Sequence, residues 1–394
     1  MADSRRHAVK AFPWLPVALA AIGAVVTIAT LAVAGVTLLV ARTVVTPPRR
    51  RPEDTRILSV DGAGDLVSLS STVDSRLPGE YSLFFADGSG HARVGDIVAE
   101  TPGTVIRRLL RVDRGDLAHA RRGRFSGWFY TGPADLGFPF ENVEIQTELG
   151  PAPAWLVPAE APSSRWVIGV HGRAVRREET LRAVPVFRAA GYTSLLVSYR
   201  NDEDAPASLD GRYGLGDTEW HDVEAAIRFA VDHGATDVVL MGWSMGGATV
   251  LQTVARSDLA GVVRGIVLDS PVIDWVTALR FQGELRGLPN PIRSAVIALL
   301  GMKWAGRLTG QHVPIDLPRL DFVHRSADLH VPILLMHSDD DGFIPSTASL
   351  ALAAARPDIV TYERFTVAGH TKLWNFDRVR WNDAIAHGLA TEPL

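Results

Sequence analysis

The feature that most constrains this chain is a run of apolar residues close to its N-terminus. Between Phe12 and Ala41 there is no charged residue, and Ala, Val, Leu, Ile, Gly and Thr make up almost all of the run. A helix of about 20 apolar residues is long enough to cross the hydrocarbon core of a bilayer. The run therefore predicts a single transmembrane helix over residues 12–41, through which the protein associates with a membrane.

Two questions about this run stay open at the level of sequence. A cleaved signal peptide is the alternative, because Ala32-Val33-Ala34 has the small-residue pattern of a cleavage site, although signal peptides have a shorter apolar region. The orientation is the second question. Three basic residues precede the run and five follow it. This excess on the C-terminal side favours the cytoplasmic face for the rest of the chain but does not fix the side. The preceding residues are Arg5, Arg6 and Lys10, and the following ones are Arg42, Arg49, Arg50, Arg51 and Arg56.

Charge and cysteine content exclude several classes of function. The chain has 40 Lys and Arg against 44 Asp and Glu, so it lacks the excess of basic residues that contacts with a phosphate backbone require, and we expect no nucleic-acid partner. It contains no cysteine, which excludes disulfides, thiolate metal sites and a cysteine nucleophile. Apolar residues make up 47% of the chain, enough for a sizeable core. The oligomeric state stays open.

The remainder of the chain divides into a linker and two folded regions. A tail over residues 1–11 precedes the apolar run, and a proline-containing linker over residues 42–52 follows it. Residues 53–140 contain short β-type runs separated by turn signals such as Asp61-Gly62 and Asp87-Gly88, which predict a small β-rich domain. We find no recognisable catalytic constellation in this domain.

Over residues 141–394, apolar strand segments alternate with amphipathic helical segments. Clear examples are the strand 237–241 and the helix 220–232. Such alternation is typical of an α/β fold, in which helices cover both faces of a mostly parallel sheet. The rhythm is interrupted over about 274–325, where a helical run at 291–307 predicts a small cap insertion over the top of the sheet.

One glycine-rich turn in this region has the pattern of a catalytic motif. Gly242-Trp243-Ser244-Met245-Gly246-Gly247 follows a predicted strand and precedes a predicted helix. This is the arrangement of a nucleophile elbow, whose sharp turn exposes the serine hydroxyl above the sheet. The alternative is a glycine-rich turn without catalysis. A serine hydroxyl is a weak nucleophile, so catalysis by Ser244 requires a base and a carboxylate that orients the base.

Two later strand ends supply these groups. The predicted strand 332–336 runs into three consecutive carboxylates at 339–341, and the strand 361–365 is followed by His370. Nucleophile, acid and histidine therefore occur in the order expected for a nucleophile-elbow site. The residues alone leave the acid open among Asp339, Asp340 and Asp341.

From about residue 142 to residue 388 the chain resembles the α/β-hydrolase superfamily. His337…Asp341…Ile344-Pro345 is similar to the family pattern H-G-x-x-D-x-x-V-P, with Ser338 in place of the usual glycine, and this similarity selects Asp341 as the triad acid. His171-Gly172-Arg173 is similar to the family's oxyanion loop. The resemblance implies a triad of Ser244, Asp341 and His370. It also implies that the backbone N–H groups of Met245 and Arg173 stabilise the oxyanion.

Several other polar residues are less informative. We interpret His171 as a structural residue that holds its loop. Three arginines near the expected pocket mouth are either a solvated surface or a site for an anionic substrate; they are Arg173, Arg176 and Arg177. Four residues around the start of a helix resemble a metal cluster, namely Asp217, Glu219, His221 and Asp222. Acids at this position complement the helix dipole, so we expect no metal and no cofactor.

Three functional hypotheses follow. The first is a membrane-anchored serine hydrolase, esterase- or lipase-like, that cleaves a small-molecule or lipid acyl ester through an acyl-enzyme. The second is a serine peptidase or amidase, because the Gly-Trp-Ser-x-Gly-Gly elbow resembles that of prolyl-oligopeptidase-like enzymes; residues 53–140 are too few for the β-propeller of those enzymes. The third is a non-catalytic anchored binding protein with the same fold.

Overall fold

The structure, a computed structural model, describes residues 15–48, 50–202 and 204–391. The predicted tail at 1–11 and the first residues of the predicted span, 12–14, lie outside the described residues. The described chain forms an N-terminal helix, a closed barrel of six strands, and an eight-stranded sheet with flanking helices. The predicted succession of an apolar helix, a small β-rich region and a mostly parallel α/β region is therefore confirmed.

The N-terminal helix α1 (Leu15–Val45) has an exposed part and a docked part. Its segment Ala20–Val45 is long and apolar enough to cross a membrane, a property that signal sequences share. In the first part the apolar side chains are exposed, as for Ile28 at 67%, whereas Ala41 and Val45 in the last turns are fully buried. The helix thus ends inside the folded part of the protein.

The β-rich region is a closed antiparallel barrel with the strand order β1-β2-β5-β4-β3-β6. Its core is mainly apolar, and the charged residue Arg107 lies fully buried within the barrel. The Arg107 guanidinium donates hydrogen bonds of 2.6–2.9 Å to the carbonyls of Ser75, Leu77, Gly79 and Gly95, which compensates for its burial. The strands are β1 (Thr55–Val60), β2 (Leu66–Ser70), β3 (Tyr81–Phe85), β4 (Gly90–Thr101), β5 (Thr104–Arg114) and β6 (Arg122–Ser126).

The large sheet has the order β14-β13-β12-β11-β9-β10-β8-β7. Strand β8 runs antiparallel to both of its neighbours, and the other pairings are parallel. The central parallel strands are mostly apolar because helices cover both faces of the sheet, and the carboxyl ends of the parallel strands share one edge. The strands are β7 (Glu141–Thr147), β8 (Gly150–Val157), β9 (Arg165–Val170), β10 (Thr193–Val197), β11 (Asp237–Trp243), β12 (Val263–Asp269), β13 (Ile333–Ser338) and β14 (Val360–Phe365).

The helices follow the predicted alternation with strands, but the helical run predicted at 291–307 is divided into a helix at Asn290–Gly301, a 3-10 turn and a short helix at Gly306–Thr309. The amphipathic pattern at 178–190 also predicts a helix, but this segment is a 3-10 segment, Arg177–Ala183, followed by a short α-helix, because Pro185 has no N–H to donate and is accepted only in a first turn. The helices are α2 (Val184–Ala189), α3 (Trp220–Asp232), α4 (Met245–Arg256), α5 (Trp275–Leu285), α6 (Asn290–Gly301), α7 (Gly306–Thr309), α8 (Thr347–Ala355), α9 (Leu373–Phe376) and α10 (Arg378–Thr391).

The helix α1 and the barrel contact different parts of the α/β region. Helix α1 packs against α6 and α7 of the insertion, and Arg42 donates a hydrogen bond to the Leu308 carbonyl at 2.6 Å. The barrel contacts the segment before α10, where Asn375 donates to the Glu80 carbonyl at 2.8 Å. The ammonium of Lys372 lies 3.0 Å from the carboxylate of Asp74, which adds a second link to the barrel.

Candidate active site

Ser244 occupies a sharp turn between β11 and α4 in a backbone conformation that is unusual for a residue with a side chain. Its φ is +50° and its ψ is −116°. The turn needs glycines on both sides, because a Cβ on Gly242 would lie 2.6 Å from the Gly246 carbonyl oxygen, and one on Gly246 would lie 2.2 Å from the Val170 carbonyl oxygen. Neighbouring structure therefore holds the strained turn in place and directs the Ser244 hydroxyl to the carboxyl edge of the sheet.

The histidine and one of the three aspartates meet Ser244 at this edge. The Nε2 atom of His370 lies 2.9 Å from the Ser244 Oγ atom, and its Nδ1 atom lies 2.7 Å from the Asp341 Oδ2 atom. Both distances are those of ordinary hydrogen bonds. A chain of this kind can move a proton from the hydroxyl to the imidazole while the carboxylate fixes the tautomer.

The carboxylate of Asp341 is held in its ionised form. Burial on its own would raise the pKa of Asp341, but His370 and His337 beside it hold this pKa well below its usual range. The second carboxylate oxygen accepts hydrogen bonds from the N–H groups of Phe343 and Ile344 at 2.8 and 2.9 Å. Charge and orientation of the group are thus fixed by its surroundings.

The other two aspartates of the run make different contacts. Asp339 pairs with the guanidinium of Arg364, and Asp340 accepts the N–H of Val367 at 2.7 Å. Of the three acids that the sequence left open, Asp341 is therefore the one that contacts His370.

The predicted oxyanion loop lies opposite the Ser244 turn. A Cβ on Gly172 would lie 3.1 Å from the Ser244 Cβ atom, which shows how closely the loop approaches. The N–H of Gly172 donates to the Glu179 carboxylate at 2.9 Å, and the predicted donor, the N–H of Arg173, belongs to the next residue of this loop. Met245 is the first residue of α4, where N–H groups have no partner within the helix.

The structure separates the roles of the other residues that the sequence singled out. His171 is fully buried, with its Nε2 atom 2.8 Å from the Asp202 carboxylate. Arg177 pairs with Asp204 at 2.8 Å. The acids of the possible metal cluster bind arginines or backbone N–H groups: Asp217 binds Arg256 and Arg319, Asp222 binds Arg200, and Glu219 binds the N–H groups of Gly214 and Gly216.

Ser244 and His370 open into a cavity of about 850 Å³, which we call the Ser244 cavity. One wall comes from the α/β region. The opposite wall comes from the barrel and includes Val73, Leu77, Phe125 and Trp128. We expected the insertion at 274–325 to cover this edge of the sheet, but in the described chain its residues do not line the cavity, and the barrel takes that place.

The barrel contains a second contact chain of serine, histidine and aspartate. The His91 ring nitrogens lie 2.8 Å from the Asp113 carboxylate and 2.8 Å from the Ser82 hydroxyl. Ser82 and His91 are fully buried, and Ser82 does not line the Ser244 cavity. Burial lowers the pKa of His91 to about 4 despite the nearby carboxylate, so the ring is neutral. This set holds barrel strands together.

Among solved structures, one esterase shares the fold of this chain. An esterase of Pyrococcus furiosus, Pf2001, is 18% identical and aligns over 66% of this chain and 94% of its own, with a TM-score of 0.51. Est1E from Butyrivibrio proteoclasticus is 17% identical over 64% of this chain and 98% of its own, with a TM-score of 0.47. At this level of identity the likeness concerns the fold. A search of curated proteins finds no match.

Two sequence families match the chain in separate regions. Residues 56–126, which form the barrel, match a domain of unknown function, DUF8805. Residues 167–384 match a family described as the alpha/beta hydrolase family. This second match covers more than half of the chain and includes the Ser244 turn, Asp341 and His370, as the resemblance of the sequence predicted. The protein therefore belongs to the alpha/beta hydrolase family.

Proposed function

We propose that this protein is a membrane-anchored serine hydrolase that cleaves carboxylic esters. The observation that carries the proposal is the position of His370, whose ring nitrogens lie within hydrogen-bond distance of both Ser244 and Asp341. The fold of known esterases supports the same reaction class. The open cavity at Ser244 gives a substrate access to the hydroxyl.

The proposed reaction proceeds through an acyl-enzyme. The Ser244 oxygen attacks the ester carbonyl while His370 takes its proton, and the imidazolium formed is stabilised by Asp341. His370 then returns the proton to the alcohol as the ester bond breaks. Water, deprotonated by His370, then attacks the carbonyl carbon of the acyl-enzyme. The bond to the Ser244 oxygen breaks as His370 returns the proton to that oxygen, and the acid is released.

Two backbone groups stabilise the negative charge that develops on the carbonyl oxygen. The N–H of Met245 lies at the positive end of helix α4, and the N–H of Arg173 lies in the loop that faces the Ser244 turn. Each preorganised donor of this kind contributes about 3 kcal/mol to transition-state stabilisation.

The membrane attachment is supported by the exposed part of α1. At 1.5 Å per residue, the helix before Thr37 is about 33 Å long, which matches the hydrocarbon core of a bilayer. Its exposed apolar side chains favour lipid as the surrounding medium. Next to the docked part of α1, the insertion exposes Met302, Trp304 and Leu308, which places further apolar surface beside the proposed span.

The test is covalent labelling of Ser244 in the full-length protein in detergent. A fluorophosphonate should label the wild-type protein and fail to label Ser244→Ala. Ser82→Ala is the matched control, because it removes the serine of the buried Ser82, His91 and Asp113 set, and it should keep the label. Labelling that survives Ser244→Ala contradicts the proposal.

A second measurement separates ester from amide chemistry. We expect turnover of p-nitrophenyl acyl esters and at least 100-fold slower turnover of aminoacyl anilides. Hydrolysis of the anilides alone would replace the esterase assignment with the peptidase hypothesis.

A further inference from the structure

A second cavity, of about 500 Å³, lies between the barrel, the segment after α1 and the loop after β9. We call it the arginine cavity, because five arginines line it together with three carboxylates, which leaves two positive charges in excess. The arginines are Arg50, Arg51, Arg114, Arg124 and Arg176, and the carboxylates are Glu53, Asp87 and Glu178.

Aromatic rings hold two of these guanidinium groups in the wall of the cavity. Arg124 stacks on Phe84 at 4.6 Å and on Trp128 at 5.3 Å, and Arg51 stacks on Trp128 at 4.8 Å. A guanidinium is planar and presents its N–H donors as a fork that matches phosphate and carboxylate oxygens. Stacking on an aromatic ring restricts the orientation of this plane. These side chains are thus preorganised for an anion.

Placing these arginines close together and partly buried costs electrostatic free energy, and a bound anion would lower that cost. Burial, with the nearby charge of Arg51, lowers the pKa of Arg124 to about 10, although Asp54 and Glu53 act in the opposite direction. Burial and the neighbouring Arg176 lower the pKa of Arg51 as well. Like charges therefore remain incompletely balanced around the arginine cavity.

The arginine cavity adjoins the Ser244 cavity. Trp128 lines both of them. The loop after β9 separates them, with Arg173 on the side of Ser244 and Arg176 on the side of the arginines. Arg51 ties this loop to the arginine cavity through a hydrogen bond of 3.0 Å to the Ala174 carbonyl. Because Trp128 lines both cavities, a substrate at Ser244 that extends past this ring would approach the arginines.

We propose that the arginine cavity binds a phosphate group of the substrate, so that the preferred substrates are acyl esters that also carry a phosphate. The proposal rests on the hydrolase function proposed above. A phosphate monoester carries a charge of about −2, which balances the two excess positive charges of the lining. The shared chemistry fits two sources of substrate, a membrane phospholipid whose head group is a phosphate monoester and a soluble phosphorylated ester.

The test compares substrates that differ only in the phosphate. Release of the fatty acid is measured for monooleoylglycerol phosphate against monooleoylglycerol in micelles, and for butanoylglycerol phosphate against butanoylglycerol in solution. We expect kcat/KM to be at least tenfold higher with the phosphate. A preference in both pairs supports phosphate recognition from either source, and a preference in the micellar pair alone assigns the phospholipid. No preference in either pair overturns the proposal.

A variant links the preference to the arginine cavity. Arg124→Gln should lower kcat/KM at least tenfold for the phosphorylated esters and less than twofold for the others. Arg108→Gln is the control, since Arg108 is an exposed barrel residue that lines neither cavity, and it should change neither value. If fluorophosphonate labels Arg124→Gln at the wild-type rate, equal losses of kcat/KM with both classes of ester contradict the proposal. If the labelling of Arg124→Gln is slower, Arg114→Gln replaces it in the same comparison.

A binding measurement keeps this inference separate from the proposed function. Calorimetric titration with glycerol 3-phosphate should show binding to Ser244→Ala and at least tenfold weaker binding to the same protein with Arg124→Gln. If the wild-type protein hydrolyses no ester but this binding is observed, the hydrolase proposal fails and the phosphate site stands. If esters are hydrolysed and glycerol 3-phosphate does not bind, the phosphate site fails alone.

Discussion

The guanidinium of Arg173 donates a hydrogen bond of 2.9 Å to the backbone carbonyl of Val44, in the last turn of helix α1. The same side chain binds the carbonyls of Thr43 and Thr46 at 2.7 and 3.1 Å. The last carbonyls of a helix have no partner within it, so Arg173 caps α1. Its backbone N–H is at the same time the proposed oxyanion donor, which couples the proposed membrane helix to the catalytic loop.

This coupling predicts that Arg173→Ala reduces turnover more than substrate binding. Without the side chain the loop loses its attachment to α1, and the N–H is displaced from the developing oxyanion. Since that interaction is made in the transition state, kcat should fall at least tenfold while KM changes less than threefold. Steady-state kinetics with a p-nitrophenyl ester give both values.

The control for this prediction is Arg42→Ala. Arg42 also attaches α1 to the folded part, but through the Leu308 carbonyl of the insertion, away from the catalytic loop. Its kcat should stay within twofold of the wild-type value. Equal losses of kcat in the two variants would mean that general docking of the helix, and not Arg173, determines the effect.

The contact between Asp341 and His370 predicts a large effect of Asp341→Asn. An amide cannot hold the required histidine tautomer or stabilise the imidazolium, so kcat should fall by about 10⁴. Asp339→Asn, which affects the pair with Arg364 and a hydrogen bond of 3.4 Å from the Ser346 hydroxyl, should leave kcat within threefold. Stopped assays with a p-nitrophenyl ester measure both variants, and comparable activity of Asp341→Asn and the wild type would exclude Asp341 as the triad acid.

The order of elements in the α/β region was predictable because its signals are local. The predicted helix at 220–232 coincides with α3, and β11 begins at Asp237, where the sequence predicts a strand. Buried parallel strands appear in sequence as apolar runs, and their turns need glycines. The elbow, the acid run and His370 were found because each of them follows such a strand.

The barrel wall of the Ser244 cavity was not predictable from local patterns. Strand β4 contains charged and glycine residues, so its sequence has no clear strand pattern. The contact between Asp74 and Lys372 joins positions almost 300 residues apart, and no periodicity in the sequence indicates it. The position of Trp128 between the two cavities is equally unpredictable from local patterns, because it depends on how the barrel packs against the α/β region.

The barrel wall predicts how acyl chain length is selected. Val73 lines the Ser244 cavity and is 77% exposed, so Val73→Trp narrows the cavity without burying a larger side chain in the core. We expect kcat/KM for p-nitrophenyl dodecanoate to fall at least fivefold and that for the acetate to change less than twofold. Val98→Trp, at another exposed barrel position, is the control, and equal losses with both esters would contradict selection by this wall.

The buried His91 predicts a loss of stability at acidic pH. Its pKa is lowered to about 4 in the folded protein, against about 6.5 in an unfolded chain, so the unfolded state binds more protons between these values. Stability therefore falls as the pH drops from 7.5 to 5, by about 2 kcal/mol from this group. Chemical unfolding of His91→Gln, which cannot titrate there, should show a smaller loss; an equal loss would assign the effect to other groups.

The exposed apolar surface of the insertion predicts contact with the membrane beside α1. Trp304 is 64% exposed and follows α6, which packs against α1. Because the chain contains no cysteine, Trp304→Cys can carry a single environment-sensitive fluorophore in protein reconstituted into vesicles. We expect a blue-shifted emission that lipids with a doxyl quencher reduce.

The control is Val379→Cys on α10, which is 70% exposed and belongs to the opposite face of the sheet, and its label should show neither effect. Equal emission and quenching at the two positions would exclude a specific contact of the insertion with lipid.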